Sequence, residues 1–333
     1  MAPVDVVSLS RTLIDIDSTT GREFEVAQWL SAWLRTRGYV VTEQPVDGNR
    51  FNISATLGKP HVVLSTHMDC VPPFFTSREA HGVLYGRGAC DAKGILAAQL
   101  LAAETFRKIG EHRVGLLFVV GEERGSDGAR VANLMEQDSR YIINGEPTDN
   151  KLGIATRGLF RVKLKATGRT AHSSHPELGE SAIEKLVDAL VVLRTVNLPT
   201  DELLGQTYYS VGLISGGIAP NVIPDRAEAE VAFRSVGPAR NIHSCLSILN
   251  GTVDIEQILE VPPVTLTTLP EFKTAIFPFT TDIPFLSSWG KPLLLGPGSI
   301  LVAHSDEEHV QTDDLYKAIE NYIRLVQTLL LST

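Results

Sequence analysis

Four short apolar runs, each leading into a histidine or an acid, constrain this chain more than any other feature. They are His61-Val-Val-Leu-Ser-Thr, Val114-Gly-Leu-Leu-Phe-Val-Val, Tyr141-Ile-Ile-Asn and Pro292-Leu-Leu-Leu-Gly. Continuous apolar stretches of this length read as strands covered on both faces, the kind that parallel sheets use. Helical patterns lie between them, over Ala89 to Ile109 and Ala129 to Gln137, and a last one runs from Thr312 to Leu331. Strands alternating with helices predict an α/β domain with a largely parallel sheet. Upstream, residues 5–37 carry apolar residues at helical spacing, broken at Asp17-Ser-Thr-Thr-Gly21, where Thr20 or Ser18 is placed to cap a second helix. Tyr39-Val-Val-Thr and Phe51 to Leu57 follow as strands around the turn at Asp47-Gly48-Asn49.

Near residue 158 the pattern changes. Leu159-Phe-Arg-Val-Lys-Leu-Lys-Ala alternates with period two, as does the chain from Thr207 to Ile214 and from Arg226 to Arg234. Such strands have one wet face. Ser181 to Val196 is an amphipathic helix. The expectation is an α+β domain over 158–264, inserted into a domain made of 1–157 and 265–333. A chain of 333 residues accommodates two domains.

The acids and histidines fall where the α/β strands end, the side on which open α/β sheets bind ligands. They are His67-Met-Asp69, Asp91, Glu122-Glu123, Glu146 and His304. Taken singly, each has a bland reading: an HxD is usually a surface or core pair, a Gly-Glu-Pro-Thr stretch a turn, and paired glutamates such as Glu307-Glu308 a solvated face. Gathered at one sheet edge, they would repel one another unless cations compensated them. Mixed His and carboxylate donors without Cys suit zinc, with cobalt or manganese as alternatives. Two metals sharing a bridging carboxylate need about five protein ligands, and His67, Asp91, Glu123, Glu146 and His304 supply them. Asp69, two residues from His67, is placed to accept its second imidazole N–H. Glu122 is placed to take a proton from the attacking water.

Composition narrows the partners. Lys plus Arg number 30 against 39 Asp plus Glu, a net charge of −9 with no basic run. That argues against nucleic acid, whose phosphates need clustered cations. The longest apolar runs are far shorter than the roughly 20 residues of a membrane span, and the first residues carry no secretory pattern. Three cysteines, Cys70, Cys90 and Cys245, form neither a disulfide framework nor a CxxC pair and suit a reducing compartment. A cytoplasmic protein is expected.

The order of His67-x-Asp69, Gly-Arg-Gly-x-x-Asp91-x-Lys-Gly, Glu122-Glu123-x-Gly, Gly-Glu146-Pro-Thr and Ala-His304-x-x-x-Glu308 resembles the di-zinc aminoacylase and carboxypeptidase-G-like metallopeptidase family. The resemblance covers almost the whole chain. It implies a zinc-peptidase-like mixed α/β sheet flanked by helices, with an inserted ferredoxin-like α+β lid that also forms a homodimer. By carry-over Asp91 bridges two Zn(2+), Glu123 and His304 complete one site, and His67 and Glu146 the other. A cis peptide between Asp91 and Ala92 is part of the pattern. Glu122 becomes the general base and later the proton donor. Gly168-Arg-Thr-Ala-His172-Ser-Ser-His-Pro resembles the lid motif whose histidine polarises the scissile carbonyl, often across a dimer, which makes His172 an oxyanion donor. Asn221, Gly216, Gly217 and Arg234 match positions that hold the substrate carboxylate; Arg226 matches less well and reads as a surface residue.

Within the family, Thr281-Asp282-Ile-Pro-Phe285 and Leu295-Gly-Pro-Gly-Ser-Ile300 resemble acetylornithine deacetylases. Thr281 and Asp282 are thus expected at the substrate, the Asp282 carboxylate attracting a cationic side chain. The implied reaction is hydrolysis of the amide of an N-acyl amino acid, N-acetylornithine foremost, as in arginine biosynthesis. A succinyl-diaminopimelate desuccinylase and a dipeptidase or carboxypeptidase are the alternatives. The desuccinylase is disfavoured because Ile283 and Pro284 stand where its loop carries Ala-Arg.

Overall fold

The structure is a computed structural model and describes residues 5–135 and 138–332. Two compact units divide the chain. The first comprises 1–154, 266–275 and 281–333, and the second 155–265 together with the short stretch 276–280.

In the first unit, β1 (Val40–Asp47), β2 (Arg50–Thr56), β3 (Val62–His67), β4 (Val114–Val119), β5 (Tyr141–Asn144) and β12 (Lys291–Leu294) form one six-stranded sheet in the order β1-β2-β4-β3-β5-β12. The four strands of the apolar runs are mutually parallel, and β1 and β2 join antiparallel at one edge, so the sheet is mixed. Every residue of β3 and β4 is buried, as their unbroken apolar character requires. One face packs on α1 (Val6–Ile14), α2 (Phe24–Arg35), α3 (Lys93–Lys108) and α7 (Thr312–Leu331), whose apolar stripes form one continuous core. Alanines 97, 98 and 102 let α3 lie close to its neighbours. Gly145 is needed there too: a Cβ would fall 2.3 Å from Ile95 Cγ2. Trp289 and Leu286 fill the opposite face with Leu117 and Val119.

Three local expectations differ from what forms. Helix α3 starts at Lys93, because the amides of Gly88, Cys90 and Asp91 are committed to the Glu308 carboxylate instead of a helical ladder, and Asp91–Ala92 is a cis peptide. Helix α4 (Asp127–Ala132) starts earlier than Ala129 and is short; the far end of the expected helix, at Gln137, lies outside the described residues. Neither Thr20 nor Ser18 caps α2. Ser18 donates to the Met68 carbonyl and Thr20 to Asp69, so both serve the site.

The second unit runs β6 (Gly158–Thr167), β7 (Ala171–His172), α5 (Ala182–Leu193), β8 (Tyr208–Gly216), β9 (Val222–Ile223), β10 (Arg226–Ser235), α6 (Ala239–Leu246) and β11 (Asp254–Val261). Its antiparallel sheet has the order β8-β10-β6-β11, which with the two helices is a β-α-β-β-α-β arrangement. Phe160, Val162 and Leu164 point to α5 and α6. Lys163 alternates to the other face, where it pairs with Glu228 at 3.2 Å. Strand β8 lies at the sheet edge, and eight of its nine residues are exposed, the apolar Val211, Leu213 and Ile214 among them. Its alternation therefore does not mark one buried face.

Candidate metal centre

Parallel strands deliver the site residues. His67 is the last residue of β3, Glu122-Glu123 follows β4, Glu146 follows β5, and His304 lies beyond β12. Asp91 is carried by the loop that turns into α3. Two trios result, His67–Asp91–Glu146 and Asp91–Glu123–His304, each with candidate donor atoms within 4.8 Å of one another. Asp91 belongs to both.

The imidazole of His67 is fully buried. Its Nδ1–H donates to the Asp69 main-chain carbonyl at 2.9 Å, which aims Nε2 at Asp91 Oδ1, 3.0 Å away, and at Glu146 Oε2, 4.0 Å away. The Asp69 carboxylate faces the same ring at 3.4 Å but has other donors. It accepts the Thr20 hydroxyl at 2.9 Å and the amides of Glu122 and Glu123 at 3.1 and 3.2 Å. Asp69 thus orients His67 chiefly through its backbone, and its carboxylate orients the glutamate loop. On the opposite side His304, with φ of +62°, places Nε2 3.0 Å from Glu123 Oε1 and 3.3 Å from Asp91 Oδ2.

A second brace holds the glutamate loop from below. Arg50 forks onto buried Glu23, at 2.9 and 2.8 Å, and onto Asp127, at 2.7 and 3.3 Å. Gly121 (φ +75°) starts the loop, and a Cβ there would lie 1.8 Å from Asp127 Oδ1. Glycine is required by both conformation and space.

Electrostatics show what the cluster lacks. Burial, then the neighbouring Glu146 and Asp282 charges, push the Glu122 carboxyl well above its ordinary range. Burial and the Asp91 charge raise Glu123, and burial pushes Glu146 well above its ordinary range despite the opposing pull of His67. Hydrogen bonds to Asp91 and Glu123 raise His304 to about 10. Asp91 is held low: burial opposes ionisation, but His304 and His67 outweigh it. Carboxylates that keep protons and histidines that keep theirs are a site short of positive charge, which divalent cations would supply in place of the protons. Among the described residues the buried Glu146 Oε1 finds no hydrogen-bond partner, as befits an unused donor for such an ion. The residues present fit a pair of metals.

Several expectations need correction. Glu308 is not half of a solvated pair: Glu307 is exposed, whereas Glu308 is fully buried against Arg87 at 2.6 Å. Thr281 and Asp282, expected at the substrate, are each 1% exposed. The turn at Ile283–Phe285 and the anchors Leu286 and Trp289 draw them under the site, where Thr281 accepts the Ile283 amide. Burial pushes Asp282 up to about 7. A substrate cation has no path to that carboxylate.

In the second unit, the expected carboxylate group comes apart. Asn221 sits beside the histidine strand, its carbonyl accepting the Ser173 amide at 3.0 Å. Gly216 and Gly217 line an open depression of about 620 Å³. Arg234 pairs with Tyr208, whereas Gly216 pairs with Ala227, seven residues earlier in β10. At about 3.4 Å per residue, Arg234 lies about 24 Å from the glycines. One subunit cannot close all four around one carboxylate, because the residues between them form an extended strand. The arginine that lines the depression is Arg226, exposed as expected of a surface residue. His172 is exposed on β7, and its Nδ1 accepts the Ser174 amide at 3.2 Å and faces the Ser174 hydroxyl at 2.8 Å. A ring nitrogen that accepts an amide carries no proton there, which leaves Nε2 as the N–H of the ring.

Among the described residues no helix is long and apolar enough to cross a membrane. Residues 63–328 match the model of the peptidase family M20/M25/M40. A peptidase M20 domain-containing protein of Schizosaccharomyces pombe is 38% identical over 97% of this chain and 84% of its own length. A probable carboxypeptidase of Aspergillus clavatus is 34% identical over 98% and 82%. The solved structure of a Staphylococcus aureus tripeptidase superposes with a TM-score of 0.83 at 21% identity, covering 97% of each chain.

Proposed function

Because the chain belongs to peptidase family M20/M25/M40, we propose that it hydrolyses the terminal amide bond of a short peptide with two divalent metals, zinc foremost. The observation that carries this is the meeting of two ligand trios at Asp91, with the desolvated Glu122 beside them. Bound metals supply the positive charge that acidifies a water and polarises the amide carbonyl. The protein's own groups do the rest. Glu122, with its raised proton affinity, takes the proton of the attacking water and returns it to the departing amine. Asp69 fixes the loop that carries it. His172 Nε2–H is a donor for the developing oxyanion.

The peptide reading is supported by the carboxypeptidase name of a 34%-identical relative. Deacylation of an N-acyl amino acid, N-acetylornithine included, is the second reading, favoured by the Thr281-to-Phe285 and Leu295-to-Ile300 segments. The burial of Asp282 weighs against its selecting the ornithine side chain. A homodimer through the second unit is part of the proposal. Strand β8 offers an unpaired edge with exposed Val211, Leu213 and Ile214, and α5 adds exposed Val187 and Val191, a surface that a second copy would cover.

The test is a zinc-loaded hydrolysis panel of dipeptides, tripeptides, N-acetylornithine and other N-acetyl amino acids, run beside Glu122→Ala. Peptide turnover that vanishes in the variant while its metal content stays unchanged is expected. Turnover of acetyl amino acids alone would select the second reading, and full activity in the variant would remove Glu122 as the base.

A further inference from the structure

We propose that Glu308 is a positioning residue that fixes the spacing of two ligands, Asp91 and His304, and so sets the occupancy of one metal site. The inference rests on the two-metal reading above.

Glu308 gathers an unusual number of donors. Its Oε1 accepts the amides of Gly88 at 2.9 Å, Asp91 at 3.2 Å and Cys90 at 3.3 Å. Its Oε2 receives Arg87 Nη1 at 2.6 Å, and Arg87 Nε is tied in turn to the Pro73 carbonyl. The main-chain carbonyl of Glu308 accepts the Gly86 amide, and the next three residues, His309–Gln311, pair with Val83–Tyr85. One carboxylate therefore seats the loop that carries Asp91 on the segment that carries His304, four residues before it.

The two trios depend on this seat unequally. His67 and Glu146 stand at the ends of β3 and β5, which are neighbours in the sheet, with Ser65 opposite Asn144. Their separation is set by the strand ladder. All three donors of that trio are buried. His304 has no such footing. Its side chain is 48% exposed, Asp306 and Glu307 after it are exposed, and Glu308 is the first fully buried residue beyond it. Loss of the Glu308 anchor frees His304 to drift from Asp91, while His67 still holds the other oxygen of Asp91. The Asp91–Glu123–His304 site should weaken and the His67–Asp91–Glu146 site should persist.

The experiment is zinc titration of the metal-stripped full-length chain against a chelating indicator, which counts equivalents independently of turnover. Wild type should take up two. Removing Glu308 alone strands Arg87 as a buried unpaired charge, so both partners are changed. In Arg87→Met/Glu308→Met, one equivalent should bind as in wild type and the second 10–100-fold more weakly, the range for residues that orient metal ligands. Arg87→Met/Glu308→Gln keeps an amide acceptor without a charge and should recover most of the second equivalent. Two wild-type-affinity equivalents in the Met/Met variant overturn the proposal, as does equal weakening of both. Failure of the Gln variant to recover binding overturns the role assigned to the amide contacts. A wild-type chain that takes up no zinc overturns the two-metal reading along with it, an outcome distinct from the others.

Discussion

Asp69 accepts the backbone amide of Glu122 at 3.1 Å and that of Glu123 at 3.2 Å, so one buried carboxylate holds both the proposed base and an adjacent ligand by their main chain. Replacement by alanine leaves both amides and the Thr20 hydroxyl without their acceptor. Asp69→Ala should lower kcat by about 10–100-fold, with a smaller change in KM. Steady-state kinetics alongside metal analysis checks this; an unchanged kcat would show that the loop needs no such hold.

His172 predicts a different signature. Its Ser174 contacts commit Nδ1 as an acceptor and leave Nε2–H as the free donor. His172→Ala should cost about 10²–10³ in kcat, the range for loss of one oxyanion donor, and metal content should not move. His172→Gln, which keeps an N–H donor, should recover part of the loss. Full activity in the alanine variant would assign this histidine to the surface.

The exposed edge of β8 makes the oligomeric state testable. Leu213→Arg and Ile214→Asp place charge on a strand edge that already satisfies its own fold. The expected result is a shift from dimer to monomer in analytical ultracentrifugation with thermal stability preserved. A wild-type chain that sediments as a monomer would refute the dimer directly.

Without metal, stability should depend on pH in a defined direction. His304 is held at about 10, above its unfolded value of 6.5, so its contribution is complete below pH 6.5 and is lost as pH rises through 10. Asp282, raised by burial from 3.8 to about 7, has the same sign, because the folded state keeps a proton that the unfolded chain has released. Its share is lost between about pH 4 and 7. Asp91, depressed in the fold, acts oppositely and loses its share as pH falls below 3.8. Denaturant midpoints of the stripped protein should therefore fall from pH 5 towards pH 10, and saturating zinc should flatten the profile. A midpoint that rises over that range in the stripped protein would contradict the assignments.

The parts of this molecule that were legible in the sequence are those governed by local pattern. Val62–His67 and Val114–Val119 announce parallel buried strands because nothing in them tolerates water. Strand order then places the residues after them at one sheet edge, which is why His67, Glu123 and Glu146 could be named together. Glu308 was legible as a motif position, but its role was not, because its neighbour Glu307 is exposed and its own burial depends on Arg87, 221 residues away. Thr20 and Ser18 have the composition of helix caps, yet Asp69 and Met68 claim their hydroxyls through a fold that no local window contains. Arg234 stands apart from Gly216 for a simpler reason: its strand pairs Ala227 with Gly216 and carries Arg234 seven residues away from them. Asp282 has the residue type of a cation binder and the burial of a core residue, and only the packing of Leu286 and Trp289 decides between the two.

Ribosomal synthesis releases His67, Asp91, Glu123 and Glu146 before the 155–265 segment, and His304 and Glu308 after it. Nascent domains assemble from the amino terminus as they emerge. An incomplete chain can therefore display one trio of donors, but not the second, until the inserted unit has been translated and its flanking segment has returned to lay β12 beside β5. A polypeptide cut short anywhere before residue 304 therefore lacks the second trio of donors, however well its earlier portion has folded.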